Sequence, residues 1–192
     1  MTGMPNLTTD RLMIRPYTLD DLEAIHQILN EAFGESTLEK HREWLEWMTR
    51  NYTALARLYQ PPYGDRAIVL KESDTLIGSV GIVPSYGPFG KLPYFRERSK
   101  EPVSDLSTPE IGLFWGLGNQ FRGQGYATEA AQALIDYMFN RFGLKRIVAT
   151  TEYDNKDSIA VMRRLGMTIQ RNPDPEPVWF QVVGVLANLS VK

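Results

Sequence analysis

The stretch QFRGQGYATEA, Gln120 to Ala130, sets two glycines two residues apart at the mouth of a helical pattern. Glycine is a poor helix former, so a pair of them there implies a left-handed turn or a close approach to the backbone. A phosphate is one group that could approach. The first N–H groups of a helix have no partner in the helix, and its dipole favours negative charge at that end. Arg122 and Gln124 could add side-chain contacts to the same anion. A tight turn whose glycines serve packing alone is the competing explanation. Two familiar phosphate loops do not fit. A Walker A loop needs Lys-Ser/Thr after its last glycine, and Gly125 is followed by Tyr126 and Ala127. A dinucleotide fingerprint needs a third glycine where this chain has Thr128.

Composition narrows the remaining chemistry. The chain has no cysteine, which removes thiolate nucleophiles, disulfides and cysteine metal ligands. No Asp, Glu and His grouping has metal-ligand spacing, so no metal is expected. With a net charge of −2 there is no general field for nucleic acid or an anionic membrane. There is no apolar leader and no run of about 18 apolar residues, so a soluble, cytoplasmic protein is expected. A length of 192 residues with 43% hydrophobic content suits one domain over residues 1–192, monomeric or homodimeric.

Several elements must position the loop. Asp10–Tyr17 reads as a first strand. Thr18 and Asp21 form an approximate capping box before a helix carrying Leu22, Ile25, Ile28 and Leu29, and Gly34 ends it. Ser36 with Glu39 opens a second helix to about Tyr59, with Trp44, Trp47, Met48, Tyr52 and Leu55 on overlapping faces. RAIVLKESDTLIGSVGIV reads as a hairpin and EIGLFWGL (Glu110–Leu117) as a fourth strand. The helix after the glycines has the stripe Ala127, Ala130, Ala131, Leu134, Ile135 and Met138, with Gly143 as its stop. KRIVATT is a fifth strand, Asn155–Leu165 a short helix, and MTIQ and VWFQVVGVLAN are the last strands. Strand, loop, helix, strand in the middle is a parallel crossover. The fold class is α/β, a mixed sheet of about seven strands flanked by about four helices.

In this order, four blocks resemble the GCN5-related N-acetyltransferases (GNAT), and within them the RimJ/RimL-like branch. They are TDRLMIRPYTLDDLEAI, EIGLFWGL, QFRGQGYA and NKDSIAVMRRLGM, together running from Thr9 to Met167. The resemblance implies acetyl-CoA as cosubstrate and a GNAT sheet splayed between the fourth and fifth strands. It implies that Gln120, Arg122, Gly123, Gln124, Gly125 and Tyr126 cradle the pyrophosphate, with Ala127 and Thr128 at the helix start. Backbone groups of Trp115, Gly116 and Leu117 would pair with the pantetheine arm, an N–H near Leu117 polarising the thioester carbonyl. Asn155 would hold the arm from the fifth strand's end, and it also reads as a helix cap.

The implied reaction is direct attack of a primary amine on the thioester in a ternary complex. The acceptor would be a protein N-terminal α-amine or a small-molecule amine. Many family members place a tyrosine acid seven residues after the asparagine, where this chain has Met162. Ser158 is the expected thiolate donor instead, with helix capping as its other explanation and Tyr153 and Tyr126 as weaker substitutes. Glu110 is the candidate water-mediated base; a surface position or an arginine partner is its plainer explanation. Glu129 is expected to support the loop, and His26 and His41 to be ordinary solvated or half-buried histidines. The missing tyrosine leaves open an acyl-CoA-binding or sensing module without turnover. The long stretch Pro84–Pro109, with Tyr86, Phe89, Tyr94 and Phe95 and the basic residues Lys91, Arg96, Arg98 and Lys100, is expected to cover the acceptor side.

Overall fold

The computed structural model describes residues 3–99 and 102–189. Lys100 lies outside the described residues. Those residues form a mixed, mostly antiparallel open sheet of eight strands with five α-helices, one more of each than the sequence suggests. They group into two compact units, Met1–Ile82 with Phe114–Met138, and Val83–Leu113 with Phe139–Lys192.

In the first unit, β1 (Leu7–Thr8) and β2 (Leu12–Arg15) form an antiparallel pair with Leu7 opposite Ile14. Two residues carry no period, so nothing in the sequence announces β1. β2 pairs with β3 (Gly64–Leu70), and β3 with β4 (Thr75–Gly87), whose register shifts at Ile68/Val69. A short 3-10 turn, Leu19–Asp21, leads into α1 (Leu22–Phe33). The Thr18 N–H donates to the Asp21 carboxylate at 2.8 Å, and the Arg15 guanidinium holds the same carboxylate with two bonds of 2.8 Å. Gly34, at φ +94°, ends α1.

α2 (Leu38–Arg57) is capped by Thr37, whose hydroxyl accepts the Lys40 N–H at 3.3 Å. Ser36, the expected cap, instead donates its N–H to the Asn30 side chain. On α2 the inward stripe is Trp44, Met48 and Tyr52, four residues apart. Trp47 is one residue, about 100° of helix, away from Met48 and is 58% exposed. These helices close over Tyr17, Ala67, Val69 and Leu76.

In the second unit, β5 (Thr108–Leu117) contributes its first part and meets β6 (Arg146–Thr151) in parallel. The paired positions are a single couple, Gly112 and Val148. By contrast β6 runs antiparallel to β8 (Val182–Ala187) from Arg146 opposite Ala187 to Thr151 opposite Val182. That contrast is what a sheet splayed at β5 and β6 requires. β7 (Thr168–Arg171) pairs with the other edge of β8. The last strand is shorter than its apolar run suggests, because Val178–Phe180 form a 3-10 turn.

The stretch after β4 holds α3 (Pro93–Arg96), and Phe89, Leu92, Tyr94 and Phe95 pack with Val148, Phe180, Val183 and Val185 as the core of this unit. The expectation that this stretch covers an acceptor is therefore corrected for those side chains. Their apolar area is spent on packing, and the Tyr94 N–H is held by the Gln170 side chain at 3.0 Å. α4 (Tyr126–Phe142) starts in the first unit and ends in the second, with the predicted Ala127-to-Met138 stripe buried and Gly143 (φ +58°) following it. α5 (Lys156–Arg164) lies in the second.

Candidate functional site

The glycine loop of the first unit follows β5 through a 3-10 turn, Asn119–Phe121. Gly123 and Gly125 have φ of +74° and +85°, a region L side chains rarely adopt. A Cβ at Gly123 would meet no protein atom within 4 Å, so packing does not explain that glycine. Conformation and an open face do. The first backbone bond of α4 is Glu129 N–H to the Gly125 carbonyl, at 3.0 Å. The N–H groups from Gly125 to Thr128 therefore stand ahead of the helical ladder.

Both limbs of the loop are fixed by protein contacts. On the exit side the Arg11 guanidinium donates to the Gln124 carbonyl at 3.1 Å and lies 4.4 Å over the Tyr126 ring. Glu129 holds Arg11 in turn, accepting its backbone N–H at 3.0 Å and its Nε at 2.7 Å, together with the Thr9 hydroxyl at 2.5 Å. Burial pushes the Glu129 carboxyl up, but these donors outweigh it and leave its pKa lowered. The supporting part expected for Glu129 has these bonds behind it.

On the entry side Arg122 donates Nε to the Leu117 carbonyl at 3.2 Å and Nη2 to the Glu31 carbonyl at 3.3 Å. Gln124 turns its side chain back to the Gln120 carbonyl at 3.0 Å. Thr128 has a buried hydroxyl without a partner among the described residues. The carbonyl four residues back, where a helical threonine usually donates, is Gln124's, which Arg11 uses. Trp115, Gly116 and Leu117 lie at the end of β5. Gly116 and Leu117 are buried, and the β4 backbone runs so close that a Cβ at Gly78 would sit 2.4 Å from the Gly116 oxygen.

Thr9, Arg11 and Glu31 escaped the sequence reading. Arg11 and Gln124 are 113 positions apart, and nothing local in either segment announces the bond.

In the second unit, Glu110 is 8% exposed and both its oxygens meet Arg146, Oε2 at 2.8 Å from Nε. Arg146 also lies 4.8 Å over the Phe95 ring. The plainer explanation of Glu110, an arginine partner, is thus realised in the structure. Asn155 caps α5, its Oδ1 accepting the Ser158 N–H at 3.0 Å. Ser158 is half-buried one turn into that helix. Met162 is fully buried, and a Cβ at Gly184 would lie 2.9 Å from its sulfur. A residue there faces packed core, which accounts for methionine. Tyr153 gives its hydroxyl to the Asn172 carbonyl.

Both histidines are half-buried, as expected, and they pair with each other. His26 and His41 share a hydrogen bond between their Nδ1 atoms at 2.8 Å, so one must donate and one accept. Asn30, whose oxygen is held by Ser36, offers its amide to His26 Nε2 at 3.3 Å, which makes His26 the donor to His41. Burial, then His26, lowers the His41 pKa. His26 and Asn30 line an open cleft of about 500 Å³ with Gln27, Glu31, Glu35 and Ser36.

Among the described residues no group of three or more His, Asp or Glu stands together as metal ligands, and no helix is long and apolar enough to cross a membrane.

A positive-φ glycine loop at the head of α4, following a strand that meets β6 at a single couple, leaves backbone N–H groups open to an anion. The acetyltransferase (GNAT) domain model matches residues 11–168, and the chain belongs to this family of acetyltransferases. It is 30% identical over 166 residues to the uncharacterized N-acetyltransferase YnaD of Bacillus subtilis, covering 84% of this chain and 82% of that one. It is 24% identical over 160 residues to the spermidine N(1)-acetyltransferase of Escherichia coli, covering 82% and 73%. Among solved structures it resembles the ribosomal L7/L12 alpha-N-protein acetyltransferase RimL in complex with coenzyme A. That TM-score is 0.62 at 18% identity, covering 96% of this chain and 97% of that one.

Proposed function

We propose that this protein transfers the acetyl group of acetyl-CoA to a primary amine, a protein N-terminal α-amine or a small-molecule amine, by direct attack in a ternary complex. The observation that carries the reading is the run of N–H groups at the head of α4 beside two positive-φ glycines, one of which, Gly123, faces open space. The partnerless Thr128 hydroxyl fits the same ligand. RimL, which holds coenzyme A, and the spermidine acetyltransferase represent the two acceptor classes.

When bound, acetyl-CoA supplies the thioester. The loop residues Gln120 to Thr128 hold its pyrophosphate, and Trp115 to Leu117 offer backbone groups to its arm. An N–H near Leu117 stabilises the developing oxyanion. Asn155 orients the arm, and the Ser158 hydroxyl donates to the departing thiolate. The amine must be neutral to attack. An α-amine near pKa ~8 needs less help than a lysine-like one near ~10.4. Glu110 can take that proton through water. The bidentate Arg146 pair favours a second role, in which Glu110 fixes the strand end and water is the base.

Turnover tests the proposal: free thiol is followed with acetyl-CoA and a panel of small amines and N-terminal peptides. Thiol release that depends on one amine class supports it. Tight acetyl-CoA binding with no turnover across the panel would instead make the chain a sensing module. Gly125→Glu, which strains a positive-φ turn and brings a side chain and a negative charge into the cradle, is expected to abolish binding while the variant still melts cooperatively, at a somewhat lower temperature.

A further inference from the structure

The 3-10 turn that leads into the glycine loop takes its cap from another element. Its cap position is Gly118, which has no side chain and supplies no capping bond. A turn beginning in this way leaves its first N–H unsatisfied. Here that N–H, on Asn119, donates to the Glu31 carboxylate at 2.7 Å from 88 positions away. The same carboxylate is steadied by Gln27, one helical turn earlier, whose amide donates at 2.9 Å. The Glu31 backbone carbonyl receives Arg122 Nη2, while Arg122 Nε reaches back to Leu117. Glu31 thus touches both ends of the entry limb, through its side chain at Asn119 and its main chain at Arg122.

The exit limb has a matching arrangement, in which Glu129 holds Arg11 and Arg11 holds the Gln124 carbonyl. Two carboxylates on different helices thus fix the two sides of the glycine loop, Glu31 by accepting the Asn119 N–H directly and Glu129 by holding the arginine that reaches the Gln124 carbonyl. The bond from Asn119, first of all, then Gln27, keeps the Glu31 carboxyl below the usual carboxylate range, so the cap is ionised at neutral pH.

We propose that Glu31 is a positioning residue for the cosubstrate loop, acting as a cap supplied by α1 that orders Asn119–Arg122 before the pyrophosphate arrives. The inference rests on the reading of that loop as the acetyl-CoA cradle. Ordering the limb in advance removes an entropic cost from binding. Its loss weakens capture of the cosubstrate and leaves the chemical step intact. Glu31 carries little of the fold, because its carboxylate is solvent-facing and no core side chain depends on it.

The test measures acetyl-CoA affinity by calorimetry, KM and kcat with a reactive amine, and thermal melting, for the full chain with Glu31→Ala and Glu31→Gln. Glutamine keeps a carbonyl oxygen for the Asn119 N–H. Glu31→Ala is expected to weaken acetyl-CoA binding and raise its KM by about tenfold, the scale of one charge-assisted hydrogen bond. Its kcat and melting temperature should stay close to wild type, and Glu31→Gln should recover most of the affinity. Wild-type affinity in Glu31→Ala overturns the proposal. So does an equal loss in both variants, which would make the charge itself, not the cap, the active feature. So too does a lowered kcat at unchanged KM. Failure of the unaltered protein to bind acetyl-CoA would overturn the cradle reading beneath it.

Discussion

At the scale of single residues, the site divides into groups whose side chains are already committed and groups that are poised. Glu110 is committed to Arg146, and Tyr153 to the Asn172 carbonyl. Ser158 gives its N–H to Asn155, and its hydroxyl makes no hydrogen bond among the described residues. Ser158→Ala is therefore expected to lower kcat by ten- to a hundredfold, the range of an acid–base contribution, with acetyl-CoA affinity nearly unchanged. Steady-state kinetics beside calorimetry would show it, and an unchanged kcat would move the role to Tyr126 or water. Glu110→Gln separates its two roles: a shifted pH–rate profile marks a base, and a lowered melting temperature with an unshifted profile marks a strand-end anchor.

Asp65 carries a different expectation. Burial raises its pKa to about 6 despite the opposing effects of Ser79 and Arg66. A carboxyl raised on folding contributes stability below its unfolded value near 3.8, and that contribution is lost as pH climbs through about 6. At pH 8 the ionised group costs the fold about 3 kcal/mol, the free-energy equivalent of moving from 3.8 to about 6. Asp65→Asn should raise the melting temperature at pH 8 and lose that advantage near pH 4.

At the scale of elements, the outcome depends on whether a signal is local. The turn at Gly123 and Gly125 was legible because positive φ selects glycine residue by residue. α1 and α4 were legible because twelve or more residues repeat a helical period. α3 was not, since four residues show no period, and Trp47 was misplaced because one residue along a helix turns a side chain off the core. Loop support by Glu129 and an arginine for Glu110 are legible as kinds of contact, but which arginine and which loop atoms are not, because the members lie 36 to 120 positions apart. The stretch after β4 changes its expected behaviour accordingly. Replacing Tyr86–Phe95 by a short Gly/Ser linker removes Phe89, Leu92, Tyr94 and Phe95 from the second unit's core. Such a variant is expected to lose its cooperative melting transition, because several large side chains at about 2–5 kcal/mol each exceed the stability of an ordinary domain. A variant that melts like wild type would return the stretch to an acceptor-facing role.

At the scale of the molecule, we propose that both units unfold as one domain. β4, β5 and α4 each pass from one unit to the other in mid-element, without a loop at the crossing. Scanning calorimetry is expected to give one transition whose van't Hoff and calorimetric enthalpies agree, and two resolved peaks would refute it. The packing of Phe89 against Phe180 at 5.1 Å carries a consequence for synthesis. Leu92 and Phe95 share that cluster with Val183 and Val185, so the middle of the chain is completed by strands made last. While the chain grows on the ribosome, this aromatic patch emerges roughly ninety codons before its partners and waits as exposed apolar surface. Nascent chains stalled between Arg146 and Arg171, with this patch clear of the ribosome and its last partners unmade, should recruit chaperones and partition into aggregates. Release of the final strand should abolish both, which stalled ribosome–nascent-chain complexes can measure directly.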